Sequence, residues 1–104
     1  MLAGADLGNA RLGHASLTRA VLANARLCGA DLTGATLATA SLTGASLSGA
    51  VLVGADLAGA RMAHCDLTDT DLRGSDLRGA RMVGCALFRT DLTDARWDET
   101  TVWP

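Results

Sequence analysis

Leucine keeps a strict register along this chain. Every Leu, from Leu2 to Leu92, falls at a position ending in 2 or 7. The other places in that frame are Met62, Met82, Trp97 and Val102. Two places before each centre the residue is small. Ala runs from Ala5 to Ala60 without a gap and returns at Ala80 and Ala95, with Cys65, Thr70, Ser75, Cys85, Thr90 and Thr100 between. The place before the centre is usually Asp, Arg, Ser or Thr, and the second place after it is often Gly, or Asn, His, Asp or Arg. The chain is a five-residue repeat, and this spacing predicts no insertion or slip from end to end.

A period of five fits neither common element. On an α-helix at about 100° per residue, successive Leu would be offset by about 140° and would spread around the whole helix. On a flat strand an odd period sends successive Leu to opposite faces. The recurring Gly disfavours helix further. A chain that turns a corner every five residues satisfies the pattern, with each Leu and each small residue pointing inward and the other three positions outward. Such a chain is a solenoid.

The unit, alanine then Asp, Arg or Ser then Leu and two more residues, closely resembles the A(D/N)LxX pattern of the pentapeptide-repeat family, over essentially all 104 residues. The resemblance implies an all-β fold, a right-handed quadrilateral parallel β-helix with four repeats to a coil. About five coils at ~4.8 Å each would make a rod roughly 25 Å long. One domain, 1–104, is expected, with a C-terminal cap over about 97–104. The structural core would be Leu7, Leu12, Leu17, Leu22, Leu27, Leu32, Leu37, Leu42, Leu47, Leu52, Leu57, Met62, Leu67, Leu72, Leu77, Met82, Leu87 and Leu92. Trp97 and Trp103 would cover the last coil.

Twenty residues per coil stack residues 20 apart, which sets Cys65 above Cys85 in the column begun by Ala5, Ala25 and Ala45. Buried Cys in place of Ala is a small hydrophobe. In-register stacking does not favour disulfide geometry, and two thiols are too few for a metal site. Cys28 points outward. Three cysteines without a CxxC pair or a secretory signal suit a reducing, cytoplasmic setting. The charge-free run 32–55 carries seven Ser/Thr and four Gly, so no membrane span is expected there. The N-terminal coil begins in register and would present a raw backbone edge, which leads to the expectation of an end-to-end homodimer.

Composition narrows the function. Nine Arg against eleven acids give a net charge of −2, with no Lys. That balance excludes a strongly basic nucleic-acid or membrane binder. Sorted by column, the face holding Arg61, Arg81 and His64 has no acid, and the other three faces are each net negative. Eight of the eleven acids lie beyond residue 60. Known members of the family include acidic rods that resemble B-DNA and bind DNA gyrase. Such mimicry needs about one negative charge per 1.7 Å of axis, well over ten on a rod of this size. The acids here are also interleaved with Arg, as in Asp71/Arg73 and Asp76/Arg78.

No catalytic, cofactor or metal constellation emerges. His14 and His64 are turn residues in different columns, no nucleophile is paired with a base by spacing, and the recurring glycines do not form a phosphate loop. The reading that follows is a non-enzymatic interaction or scaffold module with a protein partner. Its candidate surface is the outward apolar residues Val51, Val53, Val83 and Phe88. The alternative is a DNA-mimicking, gyrase-binding protein conferring resistance to gyrase inhibitors, acting through Asp66, Asp71, Asp76 and Asp91.

Overall fold

The computed structural model describes residues 2–104. Its unit is a tight turn repeated without interruption over most of the chain. The carbonyl of each centre accepts the N–H three residues on, as Leu47 does from Ala50 at 2.9 Å. The residue before that donor has a positive φ at every such position from Gly4 to Asp94, between 55° and 73°. A positive φ confined to the third residue is the requirement of a type II turn. Gly, Asn, Asp and His recur there because they tolerate the left-handed region best; Arg19, Thr39 and Arg89 hold it too.

Single parallel β-bridges tie each turn to the chain 20 residues away, from Asp6↔Arg26 through Asp76↔Arg96. The backbone therefore stacks on itself every 20 residues as a repeat solenoid. The hydrogen-bond accounting of one repeat shows why the period holds. Leu47 N–H donates to Asp66 O at 2.8 Å and Gly49 N–H to Thr68 O at 3.0 Å, toward one neighbouring coil. Val51 N–H donates to Ala30 O at 2.9 Å, toward the other. Ala50 N–H closes the turn. The N–H after the centre is left over, and Asp before the centre captures it: Thr33 donates to Asp31 and Ala58 to Asp56, both at 3.0 Å. This short Asx bond explains the acid that precedes so many of the leucines.

Stacking has a steric consequence at the turns. The side chains of Asn9, His14, Asn24 and His64 lie where a Cβ would project from Gly29, Gly34, Gly44 and Gly84, each one coil on. An Asn or His whose side chain lies this way at the turn thus leaves room only for glycine above it.

The interior is filled by Leu and Ala. Leu22 through Leu57 in the Leu register, then Met62, Leu67, Leu72, Leu77 and Met82, are buried. Leu7, Leu12, Leu17, Leu87 and Leu92 depart from the expected core. They are half-buried, because each has a coil on one side only.

The unbroken register fails near the C-terminus. The last bridge joins Arg81 to Val102, 21 residues away. Val102, expected as an inward centre, therefore sits in the outward place before one. Thr101 takes the small inward place expected for Thr100 and donates its hydroxyl to Leu77 O at 2.8 Å. The extra residue enters after Trp97, where a turn closed by Thr101 N–H to Asp98 O at 3.1 Å replaces the usual one. An indole overfills a lattice of Leu-sized spaces. Trp97 stands outside it, 61% exposed, edge-on to Trp103 with ring centroids 6.0 Å apart. The segment 97–104 crosses Leu77 and Met82 and leaves Leu87 and Leu92 half-open.

Candidate functional site

The solenoid's chemistry lies on its outward positions, because the interior is packed and no cavity occurs among the described residues. Among the described residues no group of three or more His, Cys, Asp or Glu is gathered to hold a metal ion, and no helix is long and apolar enough to cross a membrane.

The four carboxylates singled out for mimicry are all held in local bonds. Asp66 accepts the Thr68 N–H at 3.0 Å, and Asp91 accepts the N–H and hydroxyl of Thr93 at 3.0 and 2.6 Å. Asp71 and Asp76 each take a two-pronged grip from the Arg two residues on, with closest approaches of 2.7 and 2.6 Å. These partners hold all four carboxyls below the usual carboxylate range: the Thr68 and Thr93 hydrogen bonds for Asp66 and Asp91, and the Arg73 fork for Asp71. For Asp76 the Arg78 fork brings the pKa down to about 2. They remain ionised, but each charge is matched by a local donor or cation. Asp71 and Asp91 stack in adjacent coils, with Arg73 3.9 Å from Asp91 as well.

The apolar candidates do not form one patch. Val51 lies in the ladder between Asp31 and Asp71, and it and Val53 are half-buried. Val83 and Phe88 are exposed, at 48% and 65%, on neighbouring columns. Phe88 is held in a small constellation. The Arg89 guanidinium lies over its ring at 4.8 Å and pairs with Asp69, one coil away, at 2.8 Å. The 20-residue separation of Asp69 and Arg89 was a legible signal for this pair. Val21, 37% exposed, joins the solvent-facing apolar residues and had no place among the candidates.

The cysteines behave as three free thiols. Cys28 is exposed, with its sulfur 3.0 Å from the Ser46 hydroxyl. Cys65 and Cys85 point inward and donate to Leu42 O and Met62 O at 2.9 and 2.8 Å. The neighbouring Cys85 sulfur and burial push the Cys65 thiol well up from its ordinary value. Both are core groups, alongside Thr70 and Thr90, which make the same inward bond to Leu47 O and Leu67 O.

The family model for pentapeptide repeats matches in eight copies, over residues 2–34, 30–69 and 55–94. The chain belongs to the pentapeptide-repeat family. Among solved structures it is similar to a pentapeptide repeat protein from the Arabidopsis thaliana thylakoid lumen, at 33% identity and a TM-score of 0.85. That match covers 86% of this chain and 63% of the relative, so the chain spans less than two thirds of it. A pentapeptide repeat protein from Nostoc PCC 7120 matches at 33% identity and a TM-score of 0.53, over 95% of this chain and 74% of that one. The fold is shared with QnrB1, a plasmid-mediated fluoroquinolone resistance protein, at 19% identity and a TM-score of 0.61, over 75% and 39% of the two chains. No curated protein matches the sequence. Within the family pattern, Asp before the centre is here a turn-capping residue first, and the outward columns carry what differs from one repeat to the next.

Proposed function

We propose that this pentapeptide-repeat chain is a non-enzymatic interaction or scaffold module, a right-handed quadrilateral rod of about five coils that holds a protein partner on its faces. The observation that carries the reading is the Phe88 group. An aromatic ring 65% exposed on a hydrogen-bonded turn, with Arg89 over its face and Asp69 fixing the Arg, is a preorganised anchor. Aromatic and Arg side chains dominate protein–protein binding energy, and a surface already ordered before binding loses little entropy on docking. The three free thiols agree with a reducing, cytoplasmic setting.

The gyrase reading has weaker support, because Asp66, Asp71, Asp76 and Asp91 are each engaged locally and the net charge is −2. Two measurements test the pair. Proximity labelling in cells with the wild-type chain and with Phe88→Ala should show a reproducible partner set that Phe88→Ala depletes and Val53→Ala leaves intact; identical sets for all three would overturn the Phe88 anchor. A gyrase supercoiling titration with and without a quinolone should show no effect. Inhibition or protection at micromolar protein or below would replace the scaffold reading with the gyrase one.

A further inference from the structure

One outward column differs in kind from the rest. Among the described residues it runs Val21, Ser41, Arg61, Arg81, Val102, joined by successive parallel bridges. Each other arginine in the bridge ladder has an aspartate as a rung partner: Asp6↔Arg26, Arg11↔Asp31, Asp76↔Arg96. Arg61 and Arg81 have each other. Like charges directly opposite in a ladder are destabilising. The like-charged acid rungs of the molecule are compensated, since Asp56, Asp71, Asp76 and Asp91 all accept turn N–H groups and two of them hold arginine forks. The Arg61↔Arg81 rung has no such relief: both side chains are exposed, and neither makes an ion pair among the described residues.

Among the described residues the surroundings carry no acid and form no pocket. Val83 stands 48% exposed beside Arg81, and Val21 and Val102, each 37% exposed, lie on either side of the arginines along the column. The other described outward places on this face are Ala3, Gly4, Ala23, Asn24, Thr43, Gly44, Ala63, His64 and Gly84, and no acid is among them. The His64 ring is laid down against Gly84 rather than projecting. Two unmatched cations in a shallow track with apolar ends are therefore presented to solvent together.

We infer that this column is a docking track for an extended acidic segment of a partner protein, one with two carboxylates over Arg61 and Arg81 and apolar side chains against Val21 and against Val83 and Val102. The proposal deepens the interaction-module reading and rests on it. Dimensions agree with it. Four ladder steps of ~4.8 Å span about 19 Å, the length of roughly six extended residues. Alternate side chains of a strand lie ~6.6 Å apart on one face, within reach of two long arginines ~4.8 Å apart. Arg recognises carboxylate with a planar fork, so the pair is suited to two such groups. A nucleic acid fits less well: two cations neutralise two phosphates at most, the chain as a whole is net negative, and the valines would face a charged backbone.

The test uses the whole chain and a labelled peptide in which two Glu at alternate positions are flanked by Leu on each side. Anisotropy at low salt should show binding that falls as salt rises, and amide NMR shifts should concentrate on the Val21–Val102 column. Arg81→Glu should weaken the peptide at least about tenfold, ~1.4 kcal/mol. The same variant should raise the thermal midpoint, because the rung becomes an Arg–Glu pair. Loss of binding with gain of stability is a signature that a merely structural arginine would not give. Arg73→Glu, on another face, should leave binding unchanged.

Several results would overturn the track: no peptide binding, equal binding by Arg81→Glu, shifts confined to other faces, or a DNA duplex competing as well as the peptide. The Phe88→Ala labelling result stands apart from all of these. Loss of the track with the Phe88 effect retained would remove this face and leave the module, whereas loss of both would remove the module itself.

Discussion

The two halves of the solenoid solve the same packing problem with different side chains. Up to Ala60 every small inward position is Ala, and the turns carry little charge. Beyond it Ala keeps only Ala80 and Ala95, the other inward places hold Cys65, Thr70, Ser75, Cys85, Thr90 and Thr101, and all four ion pairs found among the described residues lie between residues 69 and 91. Yet up to Arg96 the turn bond and the 20-residue bridge spacing are the same on both sides of the boundary, and buried Leu centres lie in both. The Leu register and the left-handed turn impose the coil, and the small inward place needs only small volume. An inward hydroxyl or thiol is accepted because a Leu carbonyl one coil below can take a second hydrogen bond. Ser75 is the exception: its buried Oγ has no partner, while Thr70, Thr90 and Thr101 each reach a carbonyl.

The comparison breaks first at the shared element. Leu47→Ala in the Ala-lined half and Leu72→Ala in the polar-lined half should each cost about 2–5 kcal/mol in denaturant unfolding, by lost burial and cavity formation. A loss under about 1 kcal/mol in either half would show that its coils are not held by the same interior.

The turns come next. Gly44→Ala and Gly84→Ala place a Cβ against Asn24 and His64 at φ 72°, and each should cost about 2 kcal/mol, from left-handed strain plus displacement of the stacked side chain. Gly49→Ala, at φ 68° with open space around it, should cost only about 1 kcal/mol. Thermal unfolding of the three separates the steric part from the conformational one.

The polar inward groups give a smaller effect of opposite signs. Thr70→Val loses the bond to Leu47 O and should cost about 1 kcal/mol, whereas Ser75→Ala removes an unpartnered buried oxygen and should gain up to about 1 kcal/mol. Equal losses at both sites would mean that Ser75 has a partner in solution.

Acid should tell the halves apart most gently. Asp66, Asp71, Asp76, Asp91 and Asp98 all have lowered pKa values, while Asp31 is the one acid so shifted before residue 60. A lowered folded pKa stabilises the fold above the unfolded value and is lost as pH falls through the folded one. For Asp76 that window runs from 3.8 down to about 2. Hydrogen exchange across that window should therefore loosen the C-terminal half first, and Asp76→Asn should lessen the effect.

The solenoid was legible because its signals are local and repeated. The Leu frame, the small place before it and the Gly, Asn, Asp or His turn place each follow from a single repeat. The apolar candidates were less legible. Val53 and Phe88 both follow a Leu centre, but Val53 has a coil on each side and is half-buried, whereas Phe88 stands clear on the last coil. The arginine partners of Asp71 and Asp76 were legible in their two-residue spacing, whereas the capture of turn amides by all four aspartates depends on turn geometry that spacing alone does not reveal.

By itself the sequence determined the period, the inward Leu and small residues, the stacking of Cys65 on Cys85 and the excess of acid beyond residue 60. These need only the identity of residues five or twenty apart. Tertiary structure alone decided the one-residue insertion after Trp97, the half-burial of Leu7, Leu12, Leu17, Leu87 and Leu92, and the capture of turn amides by the aspartates. Those outcomes turn on whether an indole fits between coils, on whether a second coil lies against a side chain, and on which donor actually reaches a carboxylate. Such questions are settled by packing and distance in three dimensions.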